Sequence, residues 1–130
     1  MSPSRPLSLV TGASSGIGAE FARQLAALGH DLVLTARRTD RLEALAGELR
    51  DLHCVQVTVL PADLADRTSV RALCDALAER NLQVDWLINN AGYGVPGSFV
   101  ASDWQTHADS LQVLLTAPTE LARRLLPAMR

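Results

Sequence analysis

The chain is predicted to fold as a doubly wound α/β domain, a parallel sheet of about four strands with helices on its faces. Three observations predict it. Apolar runs begin near residues 7, 31, 54 and 84, and a stretch with helical spacing follows each. The intervals of 23 to 30 residues suit successive right-handed βαβ units. At the first junction of run and helix, "TGASSGIG" (residues 11–18) places three glycines where the chain must turn.

Leu7 to Thr11 is a short buried strand, and from Gly16 the residues Ile17, Phe21, Leu25 and Leu28 recur at helical spacing until Gly29 offers a stop. "DLVLT", residues 31–35, has a continuous apolar centre, as a strand covered on both faces has. Leu42, Leu45, Ala46 and Leu49 trace the next helical stripe, and Asp40 with Glu43 resembles a capping box at its start. "CVQVTVL", residues 54–60, alternates Val55, Val57 and Val59 with polar neighbours, which suits a strand near the sheet edge. Val70, Leu73, Cys74 and Leu77 form one face of a third helix. "VDWLIN", residues 84–89, is the fourth strand, "NAGYGVPG" a glycine-rich loop, and residues 102–129 are mainly helical with a break or kink near Pro118.

Length and composition bound the function. With 130 residues, 48% of them hydrophobic, the chain fits a single domain, residues 1–130. A net charge of −2 with no basic run argues against nucleic acid as a partner. All twelve basic residues are arginine, so lysine chemistry is excluded within this sequence. Cys54 and Cys74 form no CxxC pair, and His30, His53 and His107 are scattered, so reduced thiols and no metal site are expected. The polar start "MSPSRP" and the absence of an apolar run of roughly 18 residues predict a cytoplasmic protein without a membrane partner.

A glycine loop between strand and helix leaves backbone N–H groups free at the positive helix end, which favours an anion. Glycine also lets the backbone approach phosphates closely. The spacing Gly12, Gly16, Gly18 resembles the TGxxxGxG motif of the short-chain dehydrogenase/reductase family. Asp63-Leu64 after the third strand, "NNAG" at 89–92 and "LLPAM" at 125–129 resemble that family in order and spacing. The resemblance covers essentially the whole chain. It implies a Rossmann-like sheet in strand order 3-2-1-4. It further implies that Gly12, Ser14, Gly16, Ile17 and Gly18 surround the pyrophosphate and adjoining ribose of a dinucleotide. Asp63 and Leu64 would then border the adenine, and Asn90, Ala91 and Gly92 would line the adenosine side of the cleft.

Cofactor choice rests on the end of the second strand. Family members that use NAD carry an acidic residue there; here Ala36 is followed by Arg37 and Arg38, which could grip a 2′-phosphate. NADP is therefore expected over NAD, with Arg37 the stronger candidate and Arg38 also readable as a solvated charge.

The chemistry implied by the resemblance uses a serine, a Tyr-x-x-x-Lys pair and a helical asparagine. Tyr93, the only tyrosine, stands about sixty residues too early, and Leu114 falls where the asparagine belongs. No catalytic residue is expected. The sequence stops at Met129-Arg130, where the family would enter a fifth strand, so the first nucleotide-binding half is expected, without the half that supplies most catalytic groups. One edge of strand four and one face of the last helix would then seek a partner, and homo-oligomerisation through them is expected. Three readings stand: an NADP(H)-binding portion that is catalytically incomplete, an active carbonyl or alcohol oxidoreductase when completed by a further segment or chain, and a non-catalytic oligomerising module. Trp86 or Trp104 is expected to report cofactor binding by fluorescence.

Overall fold

The computed structural model describes residues 5–14 and 16–129. Four strands, β1 (Leu7–Thr11), β2 (Asp31–Thr35), β3 (Val57–Val59) and β4 (Trp86–Ile88), form one parallel sheet in the order β3-β2-β1-β4. This is the expected order. Helices α1 (Gly16–Ala27), α2 (Thr39–His53) and α3 (Ser69–Glu79) connect them, and α4 (Trp104–Leu111) and α5 (Ala117–Leu125) follow.

Period-two alternation divides the core between the two faces of the sheet. Leu32 and Leu34 of β2 pack with Val10 against α1 and α2, whereas Val33 packs with Leu7 and Leu9 against α3 and the α4–α5 segment. Both β1 and the last four residues of β2 are buried, as strands covered on both faces must be.

The expected apolar stripe of α1 is corrected. Of Ile17, Phe21, Leu25 and Leu28, only Leu25 is buried; Ile17 and Leu28 are 70% and 74% exposed. The face against the sheet is Gly18, Ala19, Ala22, Leu25 and Ala26. Small residues bring the helix axis close to the strands, so contact is made by backbone and methyl groups.

Three boundaries also differ. Cys54 ends α2 in the left-handed conformation, φ 56°, and its N–H donates to the Arg50 carbonyl, so the strand expected at 54–60 shortens to Val57–Val59. The fourth strand shortens from 84–89 to Trp86–Ile88. Asp40 is not a capping-box residue: Arg38 holds the cap position of α2, with no side-chain cap, and Asp40 lies inside the first turn.

The break expected near Pro118 takes the form of a π-helical turn, Gln112–Thr116, immediately before α5. Proline lacks an N–H and its ring crowds the carbonyl four residues back, here that of Leu114. A wider turn in front of it relieves that crowding without ending the helix.

The amino end of the sheet is fastened by side chains. Asp85 Oδ2 accepts the Leu7 N–H at 2.9 Å, Asp31 Oδ1 accepts the Gln56 N–H at 2.9 Å, and the buried Ser8 hydroxyl pairs with His30 Nδ1 at 2.7 Å. Trp86 stands edge-on to the His30 ring.

Candidate functional site

At the carboxyl end of the strands the β1–α1, β2–α2, β3–α3 and β4 loops enclose a cleft of about 560 Å³. Ligands of open α/β sheets bind at this end. Ten of the twelve candidate residues line it: Gly12, Ser14, Ile17, Arg37, Arg38, Asp63, Leu64, Asn90, Ala91 and Gly92. Gly16 and Gly18 do not; they shape the turn behind it.

Their roles differ physically. A Cβ on Gly18 would lie 2.2 Å from the Gly12 carbonyl oxygen and 2.5 Å from Asn90 Nδ2, so the glycine is required for α1 to meet the β1 turn. Gly16, at φ +61°, has nothing within 4 Å of where a Cβ would stand, and supplies the left-handed turn that opens α1.

The β1 and β4 loops are joined through Thr11. Its hydroxyl accepts the N–H groups of Asn90 at 3.0 Å and Ala91 at 2.9 Å, and it is itself buried. Asn90 Nδ2 donates back to the Gly12 carbonyl at 3.2 Å. Asn89 Nδ2 reaches the Pro118 carbonyl at 3.3 Å, tying the same loop to α5. The "NNAG" stretch is therefore a strut that fixes the floor of the cleft. Its fourth residue, Gly92, lies under Leu114: a Cβ there would be 2.6 Å from Leu114 Cδ2. The residue in the family's asparagine position thus makes an apolar contact to the loop.

One wall is cationic. Arg37 and Arg38 line it, as does Arg41, which sequence reasoning passed over because an arginine inside a polar helix face reads as a solvated charge. Arg38 Nη2 lies 3.5 Å from Asp40 Oδ2. The Asp40 carboxyl is held below the usual carboxylate range, first by the Arg41 backbone N–H and then by Arg38. On the neighbouring β3 loop, Asp63 Oδ1 accepts the Ala65 N–H at 3.0 Å and closes the turn after β3.

Thr35 also lines the cleft. It is 1% exposed, yet its hydroxyl has no hydrogen-bond partner among the described residues. A buried unpartnered hydroxyl is costly unless a ligand or water satisfies it. Tyr93 lines the cleft as well, half-exposed, with no lysine anywhere in the sequence to pair with it. Trp86 and Trp104 are not lining residues, so the expectation that they report binding is not supported by their positions. Among the described residues no group of three metal-ligating side chains occurs, and no helix is long and apolar enough to cross a membrane.

A parallel α/β sheet with a glycine turn and a cationic wall at its carboxyl end defines the class of dinucleotide-binding folds. Within that class, the short chain dehydrogenase family matches residues 7–130, and the chain belongs to it. It is 46% identical over 127 residues to nodulation protein G of Rhizobium sp. (strain N33), covering 94% of this chain and 49% of that protein. A short-chain dehydrogenase of Sphingobium yanoikuyae solved with NADPH superposes with a TM-score of 0.88 at 43% identity, covering 94% of this chain and 47% of the other. L-Sorbose reductase of Gluconobacter frateurii, solved with NADPH and L-sorbose, gives 0.89 at 32% identity, with coverages of 97% and 48%. The chain spans about half the length of these relatives.

Proposed function

We propose that the chain is the NADP(H)-binding portion of a short-chain dehydrogenase/reductase oxidoreductase, folding as one domain and supplying no catalytic group of its own. The observation that carries this reading is the cationic wall at the end of β2, where a ribose-hydroxyl site would need a carboxylate. Gly12, Ser14 and Ile17 would border the pyrophosphate and adjoining ribose, with Gly16 and Gly18 holding the turn behind them. Asp63 and Leu64 would border the adenine, and Asn90, Ala91 and Gly92 would line the adenosine side of the cleft. The unpartnered Thr35 hydroxyl in the cleft wall fits a ligand that brings a polar group close to it. Two relatives of similar fold were solved with NADPH. When bound, the cofactor supplies a hydride for carbonyl reduction; this chain's residues bind and orient its phosphorylated end.

The family chemistry implied by the resemblance uses a Tyr-x-x-x-Lys pair as proton donor, and the sequence has one tyrosine, Tyr93, and no lysine. Reduction by NADPH is therefore proposed to require a further polypeptide segment or partner chain. The exposed edge strand β4 and the half-exposed Leu111, Leu114 and Leu115 support homo-oligomerisation through β4 and the last helix. The two free cysteines support a reducing, cytoplasmic setting.

Calorimetric titration tests the reading directly. NADPH is expected to bind more tightly than NADH, and Arg37→Asp is expected to reverse that order by replacing a phosphate partner with a hydroxyl partner. No heat at millimolar NADPH would overturn cofactor binding and leave the oligomerising module. A monomeric mass by light scattering at micromolar concentration would overturn the homo-oligomer.

A further inference from the structure

Three arginines line the cleft at the β2–α2 junction, and their surroundings are unequal. Arg38 shares its charge with Asp40, 3.5 Å away. Asp40 stays ionised at neutral pH, because the N–H of Arg41 and the guanidinium of Arg38 both favour its charged form. Arg37 and Arg41 have no carboxylate within 4.0 Å among the described residues. Arg37 lies on the connecting loop, whereas Arg41 is the third residue of α2, a 15-residue helix packed on the sheet through Leu42, Leu45, Ala46 and Leu49. Its backbone is thus fixed before any ligand arrives, which lowers the entropy lost on binding.

We infer that Arg41 is the second ligand of the adenosine 2′-phosphate, acting with Arg37, while Asp40 competes with the phosphate for Arg38. This rests on the NADP(H) reading above and extends it to a residue that neither the glycine motif nor the Arg37-Arg38 pair indicates. Two guanidinium groups without acidic partners, one on a loop and one on a helix, would hold the phosphate from two directions through charge-assisted hydrogen bonds.

The test compares Arg41→Gln with Arg71→Gln, which removes the same charge from α3 outside the cleft. Affinities for NADPH, NADH and adenosine 2′,5′-bisphosphate are measured by calorimetry at fixed salt. Arg41→Gln should weaken NADPH and the bisphosphate about tenfold or more, the loss of a hydrogen bond to a charged group, and should leave NADH within about twofold. Arg71→Gln should change all three by less than about twofold, as a remote screened charge does. Equal losses for NADPH and NADH, or no loss in either, would overturn the role of Arg41 while leaving the NADP(H) reading intact. Failure of the unaltered chain to bind NADPH would overturn both. Arg41 is exposed, so the variant is expected to keep the melting temperature of the parent.

Discussion

Replacing Gly18 by alanine is expected to destabilise the chain, although the same change in an ordinary helix interior stabilises by about 0.5–1 kcal/mol. The new Cβ would stand 2.2 Å from the Gly12 carbonyl oxygen, a backbone atom that cannot rotate away. Overpacking of this kind costs about 1–3 kcal/mol. The Cβ also clashes with Asn90 Nδ2, 2.5 Å away, and so displaces the Asn90 donor from the Gly12 carbonyl, a loss of about 1 kcal/mol. After the helix gain is set against these, a net loss of about 2 kcal/mol remains. For a chain of this size that corresponds to a fall in melting temperature of roughly 5–10 °C. The assay is urea denaturation of the parent and of Gly18→Ala, with Gly47→Ala as a comparison, since a Cβ at Gly47 in mid-α2 meets nothing within 4 Å. Gly47→Ala should be neutral or stabilising. If Gly18→Ala matches Gly47→Ala, the close approach of α1 to the β1 turn is not what requires glycine.

Other consequences can be measured independently. Thr11→Val keeps the shape of a buried side chain but removes the acceptor for the Asn90 and Ala91 N–H groups; a loss of about 1–3 kcal/mol is expected, with faster amide exchange at those two residues. Unchanged exchange would refute the strut. The Asp103 carboxyl caps α4, and the hydroxyl and backbone N–H of Thr106 hold its pKa below the usual value. A folded pKa depressed in this way stabilises at pH values above about 3.9, the unfolded value, and the contribution is lost as pH falls through the folded value. Asp103→Asn should therefore flatten part of the acid limb of the stability curve, and an unaltered limb would count against the cap. Burial pushes the Cys74 thiol up, so it stays protonated at neutral pH, whereas Cys54 is exposed. Iodoacetamide should label Cys54 before Cys74, as mass spectrometry of the partly reacted chain can show.

The α/β class was legible from the apolar runs of β1 and β2 and their regular alternation with helical stretches, whereas the strand order came from the resemblance to the family. The candidate cleft residues were legible through the resemblance, whose glycine motif and "NNAG" mark backbone turns that the fold brings to one end of the sheet. What failed was side-chain direction. Ile17, Phe21 and Leu28 outweigh Ala19, Ala22 and Ala26 in hydrophobicity, yet α1 buries the alanines, because close approach to the sheet selects for small volume. Strand lengths were overestimated at β3 and β4, where apolar residues such as Val55 and Val84 are buried just outside the hydrogen-bonded ladder. Thr11, Thr35 and Arg41 carried no sequence signal of their own; each acquires its meaning only from what another loop brings beside it.

The clasps at the amino end of the sheet give the molecule a mechanical polarity. There, Asp85, Asp31 and the Ser8–His30 pair stitch neighbouring strands and loops together. At the carboxyl end the Thr11 and Asn90 struts join the β1 and β4 sides, the Ala13 N–H donates to the Thr35 carbonyl between the β1 and β2 sides, and the Ala62 N–H donates to the Ala36 carbonyl between the β2 and β3 loops. Side-chain clasps on neighbouring strands thus gather at the amino end, while the β1–β2 and β2–β3 links at the carboxyl end are single backbone hydrogen bonds. Thermal breathing should be smallest at the clasped amino end and larger in the Ala36–Arg38 and Asp63–Ala65 loops, which are the walls a nucleotide would grip.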